Sequence, residues 1–367
     1  MEKIKKNFGF GCMRLPMQGD EVDTVEFSRM VDRFLECGFN YFDTAHGYLN
    51  GKSETALREC LTSRYPRDAY ILTNKLSSSH FQSNADIRPL FESQLAACGV
   101  DYFDFYLMHA QGSYNFPKYK ECRAYETALE LKKEGKIRHL GISFHDKAAV
   151  LDQILTEYPQ VEVVQLQFNY IDYEDPIVEG RKCYEVCRRH GKPVIVMEPV
   201  KGGRLVNLPA EAAAVLDALQ GGSHASYAIR YAAGFEGIFM VLSGMGNMDM
   251  VNDNVSYMQE FVPLRAAEQA AVQQVCKILR ERGEIPCTDC RYCMENCPQN
   301  IPIPRVIALL NGKRVWNDEK AGEYYKASMK EGSKASDCIG CGLCENVCPQ
   351  HLPVRTLLQE AAAAFEQ

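Results

Sequence analysis

Four features are missing from this 367-residue chain. No apolar run is long enough to span a membrane. Met1 to Lys6 are basic, but residues 7–15 hold no signal-peptide apolar core, so a cytoplasmic protein with no membrane partner is expected. No basic block occurs, and 41 Lys and Arg against 48 Asp and Glu leave a formal charge of −7, which argues against a nucleic-acid partner. There is also no Gly-x-Gly-x-x-Gly fingerprint, which argues against a separate open-sheet dinucleotide domain.

What is present is a large apolar fraction, 46% of residues, enough for a sizeable core. The length suits one large barrel plus a smaller module. Sixteen cysteines without an export signal point away from a disulfide framework. Eight are scattered through the first 276 residues, and eight form two dense groups near the C-terminus. Metal binding in a separate domain accounts for that asymmetry. Cys183 and Cys187, four apart on a helix, have no further ligand nearby in sequence and read as core packing.

The first two-thirds alternates short apolar runs with amphipathic segments, the pattern of a parallel α/β fold. Strands are expected at 8–13, 39–43, 70–75, 103–109, 137–143, 161–167, 194–197 and 238–242. Asp23 with Glu26 resembles a capping box, Gly99, Gly135 and Gly191 read as helix stops, and Asp175-Pro176 as a helix start. Eight strands each followed by a helix suggest a closed (β/α)₈ TIM barrel over 1–262. A charged, alanine-rich helix from about 264 to 282 lies in a linker, 263–286. A small helical and loop domain, 287–367, carries an internal repeat. Cys297-Pro298-Gln299-Asn300-Ile301-Pro302 is echoed by Cys348-Pro349-Gln350-His351-Leu352-Pro353.

Each repeat closes a motif of the form Cys-x-x-Cys-x-x-Cys-x-x-x-Cys-Pro: Cys287, Cys290, Cys293, Cys297 and Cys338, Cys341, Cys344, Cys348. Three thiolates at this spacing wrap one face of a cubane, and the proline turns the fourth away. In two-cluster ferredoxins of the bacterial type the fourth cysteine binds the other cluster. One 4Fe–4S cluster is therefore assigned to Cys287, Cys290, Cys293 and Cys348, and a second to Cys338, Cys341, Cys344 and Cys297. Zinc, the rival, is disfavoured by the third cysteine and the Cys-Pro in both copies.

Three successive strand ends carry residues able to move protons. The second strand runs into Asp43-Thr44-Ala45-His46-Gly47-Tyr48, followed by Gly51-Lys52-Ser53-Glu54; the third ends at Lys75 and the fourth at His109. This constellation resembles the aldo-keto reductase superfamily over roughly residues 8 to 260. The resemblance implies a barrel enzyme that reduces a small aldehyde or ketone with NADPH or NADH, or oxidises the alcohol. It implies Tyr48 as general acid, Lys75 as the ammonium that stabilises its phenolate, Asp43 as the partner of Lys75, and His109 as the group orienting the carbonyl oxygen.

The resemblance also assigns Ser143 and Gln165 to the nicotinamide carboxamide, Met197 and Pro199 to the nicotinamide platform, Gly244 to the phosphate turn, and Asp253 with Asn254 to adenine. Lys201 and Arg204 could neutralise the pyrophosphate or form a solvated basic loop. Phe144, Met197 and Met250 stand where the family has asparagine, an aromatic residue and arginine. Tyr114, Phe116 and Tyr119 after His109 either line a pocket or pack the loop. Two functions are open: a carbonyl reductase with accessory 4Fe–4S clusters and a ferredoxin- or flavodoxin-type redox partner, or an electron-transfer protein whose barrel binds a different cofactor or partner.

Overall fold

The computed structural model describes residues 4–176, 178–316 and 318–366. These fall into two compact units, one formed by the chain up to Val200 with Gly222–Gln269, the other by Lys201–Gly221 and the chain from Ala270 onward. Residues 201–221 lie inside the span expected as barrel, yet they pack with the C-terminal unit.

In the first unit the strands are β1 (Phe8–Gly11), the short hairpin β2 (Met17–Gln18) and β3 (Glu21–Val22), β4 (Tyr41–Asp43), β5 (Ile71–Leu76), β6 (Phe103–Gln111), β7 (Ile137–Phe144), β8 (Val163–Gln167), β9 (Val194–Met197) and β10 (Ile238–Gly244). Eight of them close into a parallel barrel in the order β1-β10-β9-β8-β7-β6-β5-β4. Tyr41, Ile71, Phe105, Leu107, Val163, Ile195, Met240 and Leu242 fill its interior, so it is a packed core and not a pore. At Gly141 that filling forbids a side chain, because a Cβ would sit 2.5 Å from both Leu107 and Val163. On the outside, alternate residues such as Phe10, Phe42, Tyr106 and Leu140 pack under the helices.

Local signals set the helix ends. Asp23 caps Thr24–Glu36 by accepting from the Glu26 backbone N–H at 2.9 Å. The Glu26 side chain does not complete a capping box; it pairs with Arg29 and accepts from the Met248 N–H. Gly99, Gly135 and Gly191 take positive φ as expected of stops. The helix expected to start at Asp175-Pro176 instead runs Gly180–Arg189. Asp175 Oδ1 closes a turn onto the Val178 N–H, and Glu179 then adopts φ 55°, which delays the start. Cys183 and Cys187 are buried there. The alanine-rich helix spans Ala266–Glu281.

The C-terminal unit shows a repeat of backbone as well as sequence. Positive φ recurs at Asp289, Arg291 and Asn300 and, 51 positions later, at Gly340, Gly342 and His351. The backbone bonds Met294 N–H to Arg291 O, Cys297 N–H to Met294 O and Asn300 N–H to Cys297 O return as Glu345 to Gly342, Cys348 to Glu345 and His351 to Cys348. Each copy then enters a longer helix, Ile303–Trp316 or Val354–Phe365. Matched residues of those helices (Val306 with Leu357, Ile307 with Leu358, Leu310 with Ala361) share one apolar core. Among the described residues no helix is long and apolar enough to cross a membrane.

Candidate active site

The closed parallel register brings the strand ends together. Gly11, Asp43 and Thr73 are aligned across β1, β4 and β5, and Lys75 lies beside Leu107 across β5 and β6. Lys75 is completely buried. Its Nζ donates to Asp43 Oδ1 at 2.5 Å, to the Thr44 carbonyl at 2.7 Å and to the Tyr48 hydroxyl at 3.2 Å. Burial pushes the Asp43 carboxyl up and the Lys75 ammonium down, and the contact between them opposes both shifts. A pair this close, with a carbonyl and an amide completing its bonds, holds the ammonium against Tyr48.

Tyr48 reaches this point through an unusual backbone. Leu49, Asn50 and Gly51 are successively left-handed, at φ 53°, 56° and 86°. A left-handed leucine costs about 1–2 kcal/mol, strain of the kind concentrated at functional sites. The turn is held by Ser53, whose hydroxyl meets Thr44 Oγ1 at 2.7 Å and donates to the Cys12 carbonyl. Behind it, buried Glu54 accepts from Asn74 at 2.7 Å and contacts His46 Nδ1 at 2.8 Å. That Glu54 contact raises the His46 pKa. The sequence pattern assigns Ser53 and Glu54 no role; their buried contacts give them one.

His109 stands across the site, its ring 6.0 Å from that of Tyr48 and nearly perpendicular to it. Burial first, then the charges of Lys75, His145 and His80, hold its pKa well below the usual histidine value, so the ring is neutral. Its Nδ1 is 2.6 Å from the Ser77 hydroxyl. Sequence reasoning missed Ser77, although the two-residue period of a strand puts it on the same side as Lys75. Of the aromatics after His109, Phe116 and Tyr119 are buried packing residues, and Tyr114 lies exposed with its hydroxyl donating to the Ala110 carbonyl.

Residues expected to hold a nicotinamide fall into two groups. Ser143 and Gln165 are register partners on β7 and β8. Ser143 Oγ accepts from the Ala110 N–H at 2.7 Å, and Gln165 Nε2 donates to Asp43 Oδ2 at 3.1 Å. Met197 ends β9, with Pro199 two residues on. Gly244 ends β10, and Asn247 caps the helix Met248–Met258 by accepting from Met250. Met250 itself is 48% exposed on the first turn.

Others are engaged elsewhere. Asn254 is buried, donating to Ser243 and accepting from Tyr257, and Asp253 accepts from Ser223. Both tie their helix to its neighbours, so reading adenine would require exchanging those bonds. Lys201 and Arg204 belong to the C-terminal unit and form no solvated loop. Lys201 is buried and donates to Gln350 at 2.7 Å, while Arg204 pairs with Glu284 at 2.6 Å and donates to the Ile285 carbonyl. Gly202, at φ 63°, fits only because it lacks a Cβ, which would come 2.7 Å from the Thr288 carbonyl.

In the same unit the cysteine loops suit a cubane. The thiols whose charge acts most on buried Cys293 are Cys290, Cys348 and Cys287, and Cys348 acts likewise on Cys287. The fourth cysteine of the second motif thus lies near Cys287 and Cys293 of the first. Cys344 has Cys338 beside it. Among the described residues no group of three or more His, Cys, Asp or Glu side chains closes as a single metal ion would need.

Comparison with known proteins decides the family. Residues 7–277 match the aldo/keto reductase family model. The chain belongs to the aldo/keto reductase family. Its C-terminal part, residues 286–352, matches a 4Fe-4S dicluster domain. This aldo/keto reductase is 28% identical over 197 residues to the NADH-specific methylglyoxal reductase of Escherichia coli, covering 48% of this chain and 57% of that one. It is 25% identical over 270 residues to an uncharacterized oxidoreductase of Schizosaccharomyces pombe, covering 69% and 82%. A Bacillus subtilis oxidoreductase matches at 26% over 217 residues, 56% of this chain and 64% of that protein. The chain thus spans less than two thirds of the Escherichia coli and Bacillus subtilis relatives.

Among solved structures, an aldo-keto reductase of Bacillus halodurans in its holo form superposes with a TM-score of 0.59 at 26% identity, over 73% of this chain and 91% of that one. One from Klebsiella pneumoniae in complex with NADPH gives 0.60 at 19% identity, over 73% and 90%, a likeness of fold. In this member of the aldo/keto reductase family the closed barrel is followed in sequence by a part that matches the 4Fe-4S dicluster domain.

Proposed function

We propose that the barrel reduces an aldehyde or ketone with NADPH or NADH, or oxidises the corresponding alcohol. The observation that carries this reading is Lys75 Nζ bonded at once to Asp43 and to the Tyr48 hydroxyl. A bound nicotinamide would supply hydride to the carbonyl carbon. Tyr48 gives its hydroxyl proton to the carbonyl oxygen, and the adjacent ammonium stabilises the phenolate left behind. Asp43 keeps Lys75 charged. His109, neutral and largely shielded from water, donates a hydrogen bond to the same oxygen.

In this reading Ser143 and Gln165 hold the carboxamide, and Met197 with Pro199 flanks the ring. The turn after Gly244 takes the pyrophosphate at the amino end of Met248–Met258, where it would exchange the bonds that Glu26 and Asn247 now accept from the Met248 and Met250 N–H groups. Lys201 and Arg204 take no part, since Gln350 and Glu284 occupy them.

The C-terminal unit, in the same reading, carries two 4Fe–4S clusters, on Cys287, Cys290, Cys293 and Cys348 and on Cys338, Cys341, Cys344 and Cys297. It exchanges single electrons with a ferredoxin- or flavodoxin-type partner. A second reading, an electron-transfer protein whose barrel holds another cofactor, is favoured by buried Phe144 and by Met197 and Met250. Titrating the purified protein with NADPH and NADH while following nicotinamide fluorescence separates the two. Saturable binding with turnover of model aldehydes supports the reductase; neither cofactor binding defeats it.

A further inference from the structure

The β5–β6 register pairs Lys75 with Leu107. Two residues further along each strand stand Ser77 and His109. Ser77 keeps extended dihedrals, φ −96° and ψ 131°, so the strand alternation carries on and its side chain falls on the Lys75 side, facing β6. There its oxygen meets His109 Nδ1 at 2.6 Å.

The backbone that carries His109 is pinned on both sides. The buried Tyr119 hydroxyl bridges the Leu76 and His109 carbonyls, at 2.6 and 3.0 Å. Ala110 takes a left-handed φ of 51°, and its N–H is anchored on Ser143. With the backbone fixed, the remaining freedom of the ring is rotation about the Cα–Cβ and Cβ–Cγ bonds and the choice of which nitrogen carries the proton.

A neutral imidazole has one N–H. If Nδ1 carried it, that N–H would point at the serine oxygen and the serine proton would lose its partner. His109 Nδ1 is the only partner of the Ser77 hydroxyl among the described residues. The arrangement that makes the bond with the serine proton has Nδ1 accepting, which leaves the proton on Nε2. Burial, Lys75, His80 and His145 all act against a second ring proton.

We propose that Ser77 is a positioning residue that donates to His109 Nδ1, locking the ring as the Nε2–H tautomer and holding it ready to donate to a substrate carbonyl oxygen. The second half rests on the reductase reading above; the tautomer does not.

The test uses the full chain, purified without oxygen and labelled with ¹⁵N-histidine. His109→Gln identifies the His109 resonances by their loss. In the parent, Nδ1 should resonate as an unprotonated, hydrogen-bonded nitrogen and Nε2 as a protonated one. Ser77→Ala should move the Nδ1 signal and lower kcat on a model aldehyde about tenfold, the worth of one hydrogen bond, with the KM for NADPH unchanged. Ser77→Thr keeps the hydroxyl and should restore both. A parent spectrum with the proton on Nδ1, or a Ser77→Ala protein with the parent's spectrum and kcat, overturns the proposal. If the parent reduces no carbonyl, the reductase reading fails, and the nitrogen spectrum alone then decides the tautomer.

Discussion

Gln165 Nε2 donates to Asp43 Oδ2 across 122 residues of chain, so a residue expected on the cofactor side also completes the bonding of the buried carboxylate that holds Lys75. Gln165→Leu removes that donor and leaves a buried acceptor unsatisfied, at a cost of about 1–3 kcal/mol. The urea midpoint of the barrel should fall, and carbonyl reduction with it. An unchanged midpoint would show that the bond contributes nothing.

Tyr48→Phe should lower carbonyl reduction by about 10²-fold or more with little change in nicotinamide binding, because a general acid acts mainly in the transition state. Steady-state rates on aldehydes and quinones, beside a fluorescence titration with NADPH, check both halves. Parent-like turnover would remove Tyr48 from the mechanism.

In the proposed reading, cofactor preference turns on Met250, which is exposed on the first turn of Met248–Met258. A 2′-phosphate is best gripped by the paired donors of arginine, and a thioether offers none. NADPH should therefore be preferred over NADH by less than about a hundredfold, roughly 2.7 kcal/mol. Met250→Arg should move the ratio of dissociation constants towards NADPH.

The proposed crossed ligation predicts which cluster each cysteine serves. Anaerobically purified protein should hold about eight irons with acid-labile sulfide, in two cubanes. Cys348→Ala and Cys293→Ala should damage the same cluster, as read by electron paramagnetic resonance, because Cys348 lies with Cys287 and Cys293. Stoichiometric zinc without sulfide would refute the assignment.

Acid stability has an identifiable contributor. Glu268 is buried against Arg230, with two contacts of 3.1 Å, and its hydrogen bonds hold its pKa down to about 2 despite burial. A carboxyl depressed in the folded state binds fewer protons there than when unfolded. Its stabilisation is complete above the ordinary glutamate pKa and is lost as pH falls towards 2. Glu268→Gln leaves Arg230 buried without its counter-charge and should cost about 3–5 kcal/mol at pH 7. The gap between parent and variant in denaturant midpoint should close as pH falls from about 4.5 towards 2.

The barrel and the cysteine motifs were legible in the sequence because their signals are local. Each expected strand is one short apolar run, and the observed strands β1 and β4 to β10 fall on those runs. Asp43, Tyr48, Lys75 and His109 could be singled out because a parallel barrel gathers successive strand ends on one face, and the closed register does bring them together. Cysteine spacing is likewise local, and so is the 51-residue repeat, whose backbone turns recur with it.

What only the tertiary structure decided lies in contacts between residues far apart in the chain. Ser77 and His109 are 32 residues apart and meet because β5 and β6 share a register. Arg230 finds Glu268 38 residues on, and Lys201 finds Gln350 149 residues on. Lys201 and Arg204 follow a barrel strand and read as cofactor ligands, yet packing assigns them to the C-terminal unit. A charged side chain carries no local mark of its partner. Its role is set by which backbone the folded chain brings within hydrogen-bond reach, and by the burial that makes satisfying that charge obligatory.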